Sequence, residues 1–201
     1  MADEEKPTPH AESPIRKILI ESALIVFSIL LALAANAWSD ANKQRVLADR
    51  ALQGVRDEIE GNAQRIRDAL PYLRTMEGQV FRADSLKRVH GWSDFVVAVP
   101  AWHGLGTAEL DGTAWQSAVT IGAVSNIGYD TVRVLSRLYA LQTKFDQYAG
   151  GMANSIDLTD QAMAGTTRKL WVYFVTVRTN DDTLIARYQS ALALLGGARK
   201  R

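Results

Sequence analysis

Residues 18–38 read ILIESALIVFSILLALAANAW, and residues 39–70 directly behind them read SDANKQRVLADRALQGVRDEIEGNAQRIRDAL. The first stretch carries a single charged residue, Glu21. At about 1.5 Å of rise per residue, roughly 21 residues match the ~30 Å hydrocarbon core of a bilayer. Arg16 and Lys17 stand just before it and Trp38 closes it, residue types that favour the headgroup layer on either side. The reading is an N-terminal transmembrane helix in a bacterial inner-membrane protein. Three residues in it are polar candidates for contacts inside the membrane: Glu21 near one edge, Ser28, and Asn36 near the other. Glu21 either carries its carboxylate back to the interface or meets a partner helix or lipid headgroup. Ala32 and Ala35 share a face with Glu21 and Ser28, and small residues on one face let a second helix approach.

An alternative reading competes. Ala35-Asn36-Ala37 has the small-x-small form of a signal-peptidase site, and Arg16 and Lys17 supply a basic n-region. The chain would then be secreted after cleavage at Ala37. The length of the apolar stretch, Glu21 within it and the acidic tail ahead of it favour an uncleaved anchor. Lys6, Arg16 and Lys17 on one side balance Lys43, Arg45 and Arg50 on the other, so the positive-inside rule does not orient the span. A short tail, one span and a larger C-terminal part match a signal anchor with its domain in the periplasm.

Beyond Trp38 the composition becomes that of a charged helix former, without proline until Pro71. Ala48, Leu52, Val55, Ile59, Asn62, Ile66 and Ala69 recur in steps of four and three. That pattern is either the seam of an oligomeric coiled coil or the core face of an intramolecular bundle. The bundle is favoured, because two alanines and an asparagine make a thin coiled-coil seam. Pro71 predicts a kink or a turn, after which helical periodicity resumes through Leu73, Met76, Val80 and Phe81. Residues 91–112 break the pattern, and the apolar run 95–99 suggests a short extended piece. Further helices are expected from Thr113, from Gly128 with Asp130 in its first turn, from about residue 155 to 177, and from 181 to 195. The last would be capped by Asp181 and Asp182 and stopped by Gly196-Gly197. The expected fold is all-α: one transmembrane helix continuing into an amphipathic helix, plus a helical bundle with one irregular loop. The divisions are a disordered tail over 1–15, the anchor over 16–38, a stalk helix over 39–90 and the loop over 91–112. A bundle over 113–197 packs on the stalk, and 198–201 form a basic tail.

The 201 residues include 23 Lys and Arg against 22 Asp and Glu, a formal net charge of +1. Without a clustered basic face, nucleic acid is not expected as a partner. There is no cysteine, which excludes disulfides, thiolate metal sites and cysteine nucleophiles. No phosphate loop, dinucleotide fingerprint, nucleophile elbow or zinc-protease motif is present. No catalytic, cofactor-binding or metal-binding residue is therefore assigned, no cofactor is expected, and the chain is read as not an enzyme. His10, His90 and His103 lie far apart in sequence. Trp102, His103 and Trp115 could line a pocket, or the tryptophans could pin the loop to the bundle; packing is the favoured account.

The segment ESALIVFSILLALAANAWSDANKQRVLADRALQGVRDEIEGN resembles the opening of a family of uncharacterised bacterial single-pass membrane proteins. In that family an apolar helix opens with a glutamate, ends in an Asn-x-Trp step and leads into a charged helix. Glu21, Asn36, Trp38, Asp40, Lys43, Leu52 and Glu58 occupy those places. A second patch, TAWQSAVTIGAVSNIGYDTVRVLSRLYALQ, resembles the family's later helical segment. The resemblance covers the first third of the chain and this middle patch. It implies a membrane-anchored helical protein, implies no activity, and weighs against cleavage.

Taken together, these readings give a membrane-anchored helical interaction or structural module. Its partners are the bilayer and either a second copy of itself or a larger membrane complex. The alternatives are an extracytoplasmic sensor bundle for small ligands and a hydrolase with an unrecognised site.

Overall fold

The computed structural model describes residues 14–198, with side chains described over 18–197. The tails at 1–15 and 198–201 and the side chains of Arg16 and Lys17 fall wholly or mostly outside that range. The described chain is all-α, with no strand. Its elements are α1 (Pro14–Leu86), α2 (Trp92–Ala98), α3 (Thr113–Thr120), a 3-10 turn (Ala123–Asn126), α4 (Tyr129–Asn154), a second 3-10 turn (Asp160–Ala162) and α5 (Met163–Ala198). Two compact units divide it, one ending at Val46 and one beginning at Leu47.

In the first unit α1 presents its apolar side chains outward. Ile18, Leu19, Leu24, Ile25, Phe27, Leu30 and Leu33 are all exposed, and Trp38 is 74% exposed. Among the described residues, one helix is long and apolar enough to cross a membrane, and its apolar window is not buried inside the protein. Ser28 donates its hydroxyl to the Leu24 carbonyl at 2.7 Å, the usual way a serine is satisfied within a helix. Glu21 and Asn36 are exposed.

The second unit is a three-helix bundle made by the later part of α1, α4 and α5. At one end Val55, Ile59, Ala63 and Ile66 of α1 meet Leu135 and Leu138 of α4 and Leu184, Tyr188 and Ala191 of α5. At the other end Leu73, Met76, Val80 and Ala83 of α1 meet Met163, Leu170, Tyr173 and Phe174 of α5, with Met152 and Ala153 of α4 alongside. The early part of one helix thus faces the late part of the other, so α1 and α5 run antiparallel. Polar ties between the two helices repeat that register: Arg178 to Glu77, Arg74 to Asp182 at 3.8 Å, Arg168 to Asp84 at 3.7 Å and Thr167 to Asp84 at 3.1 Å. In the seam read from the sequence, Ala48, Val55, Ile59, Asn62 and Ile66 are buried and Leu52 and Ala69 half-buried. Of these, Leu52, Val55, Ile59 and Ile66 pack in one cluster with α4 and α5 of the same chain, and Asn62 donates to Gln142 of α4 at 3.5 Å.

Three expectations need correction. First, of the kink or turn expected at Pro71, the turn is excluded, because α1 runs on through it. A proline inside a helix costs about 3 kcal/mol through a lost hydrogen bond and a clash one turn back. Here Pro71 is exposed, while Ile66, Leu70, Leu73 and Met76 around it are buried. Each such burial is worth about 1.5–3 kcal/mol, so packing outweighs the proline. Second, the run 95–99 is not extended: it lies in and just after α2, with Phe95 and Val99 buried one helical turn apart. Asp160 accepts the Trp92 N–H at the start of α2, and Asp94 accepts the His90 N–H at 2.9 Å. Third, the two helices expected over 155–177 and 181–195 are one, α5, which begins only at Met163 and continues through Gly196 and Gly197. Asp181 and Asp182 cap nothing. Val177 and Leu184 are buried on either side of them, and Arg178 bonds Asp182 at 3.0 Å within the helix.

Candidate functional site

Trp102, His103 and Trp115 do not converge. Trp102 meets Phe95, Trp92 and Phe174 edge-on, with ring centroids 5.2, 6.3 and 6.1 Å away. Trp115 belongs to the other end of the bundle, where it stacks on Tyr139 at 5.7 Å. His103 is exposed and stacks on Tyr72 at 3.8 Å, and the Tyr72 hydroxyl donates to the Gly104 carbonyl and accepts the His103 N–H. Gly106 turns the backbone here at φ +59°, and any Cβ at that position would collide with the Tyr72 ring. The tryptophans pin the loop at two separate places.

A polar network lies inside the bundle. The Asn62 side-chain amide pairs with the Asp111 peptide on both sides, donating to its carbonyl at 2.7 Å and accepting its N–H at 2.9 Å. Gln142 donates to the same carbonyl at 2.9 Å and accepts the Tyr188 hydroxyl at 2.7 Å. Arg65 completes Asn62 at 2.8 Å. Helix α3 starts without a side-chain cap of its own. Glu58 of α1 supplies one, accepting the Ala114 N–H at 2.7 Å, the Trp115 N–H at 3.4 Å and the Tyr139 hydroxyl at 2.6 Å. Burial first, then the hydrogen bond to Glu58 and its charge, raise the Tyr139 phenol, which therefore stays protonated and donates. Every member is satisfied, and a satisfied buried network positions a loop rather than presenting reactive groups.

The arrangement with unspent chemistry is a cleft of about 400 Å³ between the segment 105–110, α4 and α5. Leu105, Leu110, Phe145, Val177 and Leu184 form its apolar walls, and Glu109, Asp146 and Asp181 bring carboxylates to it. No lysine, arginine or histidine lines it. Asp181 is only 7% exposed, and its Oδ2 is the one buried side-chain polar atom among the described residues without a hydrogen-bond partner. Burial pushes its carboxyl up to about 7, with the charges of Asp182 and Asp146 adding to the shift. Burial also raises Asp146, and it pushes the neighbouring Tyr173 phenol up to about 12. A buried carboxylate without a partner is costly, and among the residues lining this cleft Asp181 is the one left with an unmet hydrogen-bonding oxygen. Among the described residues, no three carboxylates or histidines are grouped to hold a metal ion.

Reading Asp181 as a helix cap hid this site. Once α5 is one helix, Tyr173, Val177, Asp181, Leu184 and Tyr188 fall at steps of four and three on a single face. An aspartate in the middle of an apolar stripe is the signal that reveals it. Comparison with protein-family models, with curated proteins and with solved structures finds nothing that matches this chain.

Proposed function

We propose that this chain is a single-pass protein of the bacterial inner membrane, with its helical bundle in the periplasm, and that it works by binding. The observation that carries the reading is the outward apolar surface of residues 18–33, where Ile18, Phe27, Leu31 and their neighbours are all exposed. Outside a bilayer that surface would stand in water at about 25 cal/mol per Å². Trp38, 74% exposed, sits where an aromatic anchor at the headgroup layer belongs. The charge pattern and motif content of the bundle support a binding role over chemistry. Its buried polar network is consumed in holding the loop 110–115 in place, which fits a rigid recognition domain.

Fractionation and crosslinking test this reading. The full chain is expected in the membrane pellet after an alkaline carbonate wash, and crosslinking in native membranes is expected to trap it with itself or with a larger complex. A C-terminal reporter active only in the periplasm is expected to report. Recovery of a soluble form whose N-terminus is Trp38 would replace the anchor with a secreted domain, and free monomers alone in the crosslinking would remove the interaction role.

A further inference from the structure

We propose that the cleft between the segment 105–110, α4 and α5 binds a small organic cation, an ammonium carried on a short apolar body, with Asp181 as its main partner. Three independent observations converge. The first is charge: Glu109, Asp146 and Asp181 reach the cleft and no basic side chain does, so its field attracts a cation and repels an anion. The second is the unpartnered Oδ2 of Asp181, a residue that lines the cleft and is only 7% exposed. A carboxylate held that deep lacks the hydrogen bonds it would have in water, and an N–H donor from a ligand would supply them. The third is the wall: Phe145, Leu105, Val177 and Leu184 surround the carboxylates with apolar surface, which suits an alkyl or aryl body and not a bare hydrated ion. With no metal-holding cluster among the described residues, a divalent cation is the poorer fit. The space, about 400 Å³, lies within the range that takes small ligands.

The groups facing Asp181 make the site pH-dependent in one direction. From α4 comes Asp146, from the 105–110 segment Glu109, and from α5 itself Asp182, Tyr173 and Tyr188. The cations of this region are engaged elsewhere: Arg178 holds Glu77 and Asp182, and Arg74 of α1 holds Asp182. No basic side chain lines the cleft to compete for Asp181. At low pH its carboxyl is protonated and attracts an ammonium weakly, and as pH rises it ionises and the ammonium neutralises it. Affinity for the cation rises with pH, and bound cation draws the proton off at lower pH.

Benzylammonium, with benzyl alcohol as its uncharged counterpart, is a suitable pair of probes for the full chain in non-ionic detergent. Amide shifts in an isotope-labelled sample report the location. Benzylammonium is expected to shift the amides of Gly150, Ala153 and Leu184 saturably, at least 10-fold more tightly than benzyl alcohol and at least 10-fold more tightly at pH 8 than at pH 5. D181N is expected to lower affinity at pH 8 at least 10-fold and to flatten the pH dependence, and D146N to lower it by less. Equal binding of amine and alcohol would reduce the cleft to an apolar hole and overturn the proposal, as would unchanged affinity in D181N or shifts confined to other parts of the bundle. Should D181N fail to fold, the wild-type comparison of amine with alcohol at the two pH values decides by itself.

Discussion

Replacing Asp181 by asparagine keeps the shape of the side chain and removes its ability to ionise, and the effect on stability follows from its surroundings. An aspartate in an unfolded chain titrates near 3.9, whereas inside the bundle the Asp181 carboxyl titrates at about 7 because it is buried. Between those values the folded state holds a proton that the unfolded state has released, so stability falls as pH rises and levels off once Asp181 is ionised in both states. The difference corresponds to about 4 kcal/mol over the whole interval, and about 3 kcal/mol of it falls between pH 5 and pH 8. The D181N variant lacks this dependence. Asp146 is raised in the same direction but is present in both proteins, so the difference between the two curves isolates Asp181. Urea unfolding of the full chain in non-ionic detergent, followed by tryptophan fluorescence, reads it, since Trp115 and Trp102 report the two ends of the bundle. The variant is expected to gain on the wild type by about 3 kcal/mol on going from pH 5 to pH 8. If the two proteins keep a constant separation across that range, Asp181 ionises freely and the account of a buried carboxylate without a partner is wrong.

Two more substitutions probe the loop. N62L should lower stability by about 2 kcal/mol, because it leaves the Asp111 N–H without its partner and the Asp111 carbonyl with Gln142 alone, and chemical denaturation measures the loss. G106A should cost about 2 kcal/mol, through the left-handed backbone and the collision with Tyr72 together. It should also separate the His103–Tyr72 stack, visible as a change in the His103 ring resonances, whereas G104A meets no neighbouring atom within 4 Å and strains the backbone alone.

The parts of the fold that were legible in the sequence are those where one periodicity speaks alone. The steps from Ala48 to Ile66 mark a buried stripe whichever partner covers it. The turn signal of Pro71 and the cap signal of Asp181 and Asp182 give way for a shared reason. Each is a local helix-breaking or helix-starting signal, and each sits between buried near neighbours, Leu70 and Leu73 or Val177 and Leu184, whose packing is decided by helices far away in sequence. Local propensity is worth tenths of a kcal/mol to about 3 kcal/mol, and a pair of buried leucines outweighs it. The capping of α3 by Glu58 was illegible for another reason. The carboxylate and the amides it serves lie 56 residues apart, and only the assembled bundle brings them together. The cleft was illegible for the same reason as the continuity of α5, because Asp181 lines it only when residues 173–188 form one helical face.

The antiparallel pairing of α1 with α5 has a consequence for how the chain is made. The stripe from Val55 to Ala83 leaves the ribosome first, and the face that covers it, Met163 to Leu195, follows roughly 80–140 residues later. At about 5–20 residues per second, that stripe waits on the order of 4–30 seconds for its partner. During that interval it is a half-built interface, helical at best, whose charged outer face of Arg56, Glu60, Arg67 and Asp68 carries the whole burden of keeping it dispersed. A truncation that stops translation after α4 would freeze the chain in that state, and it should be captured by chaperones or degraded, not merely less stable.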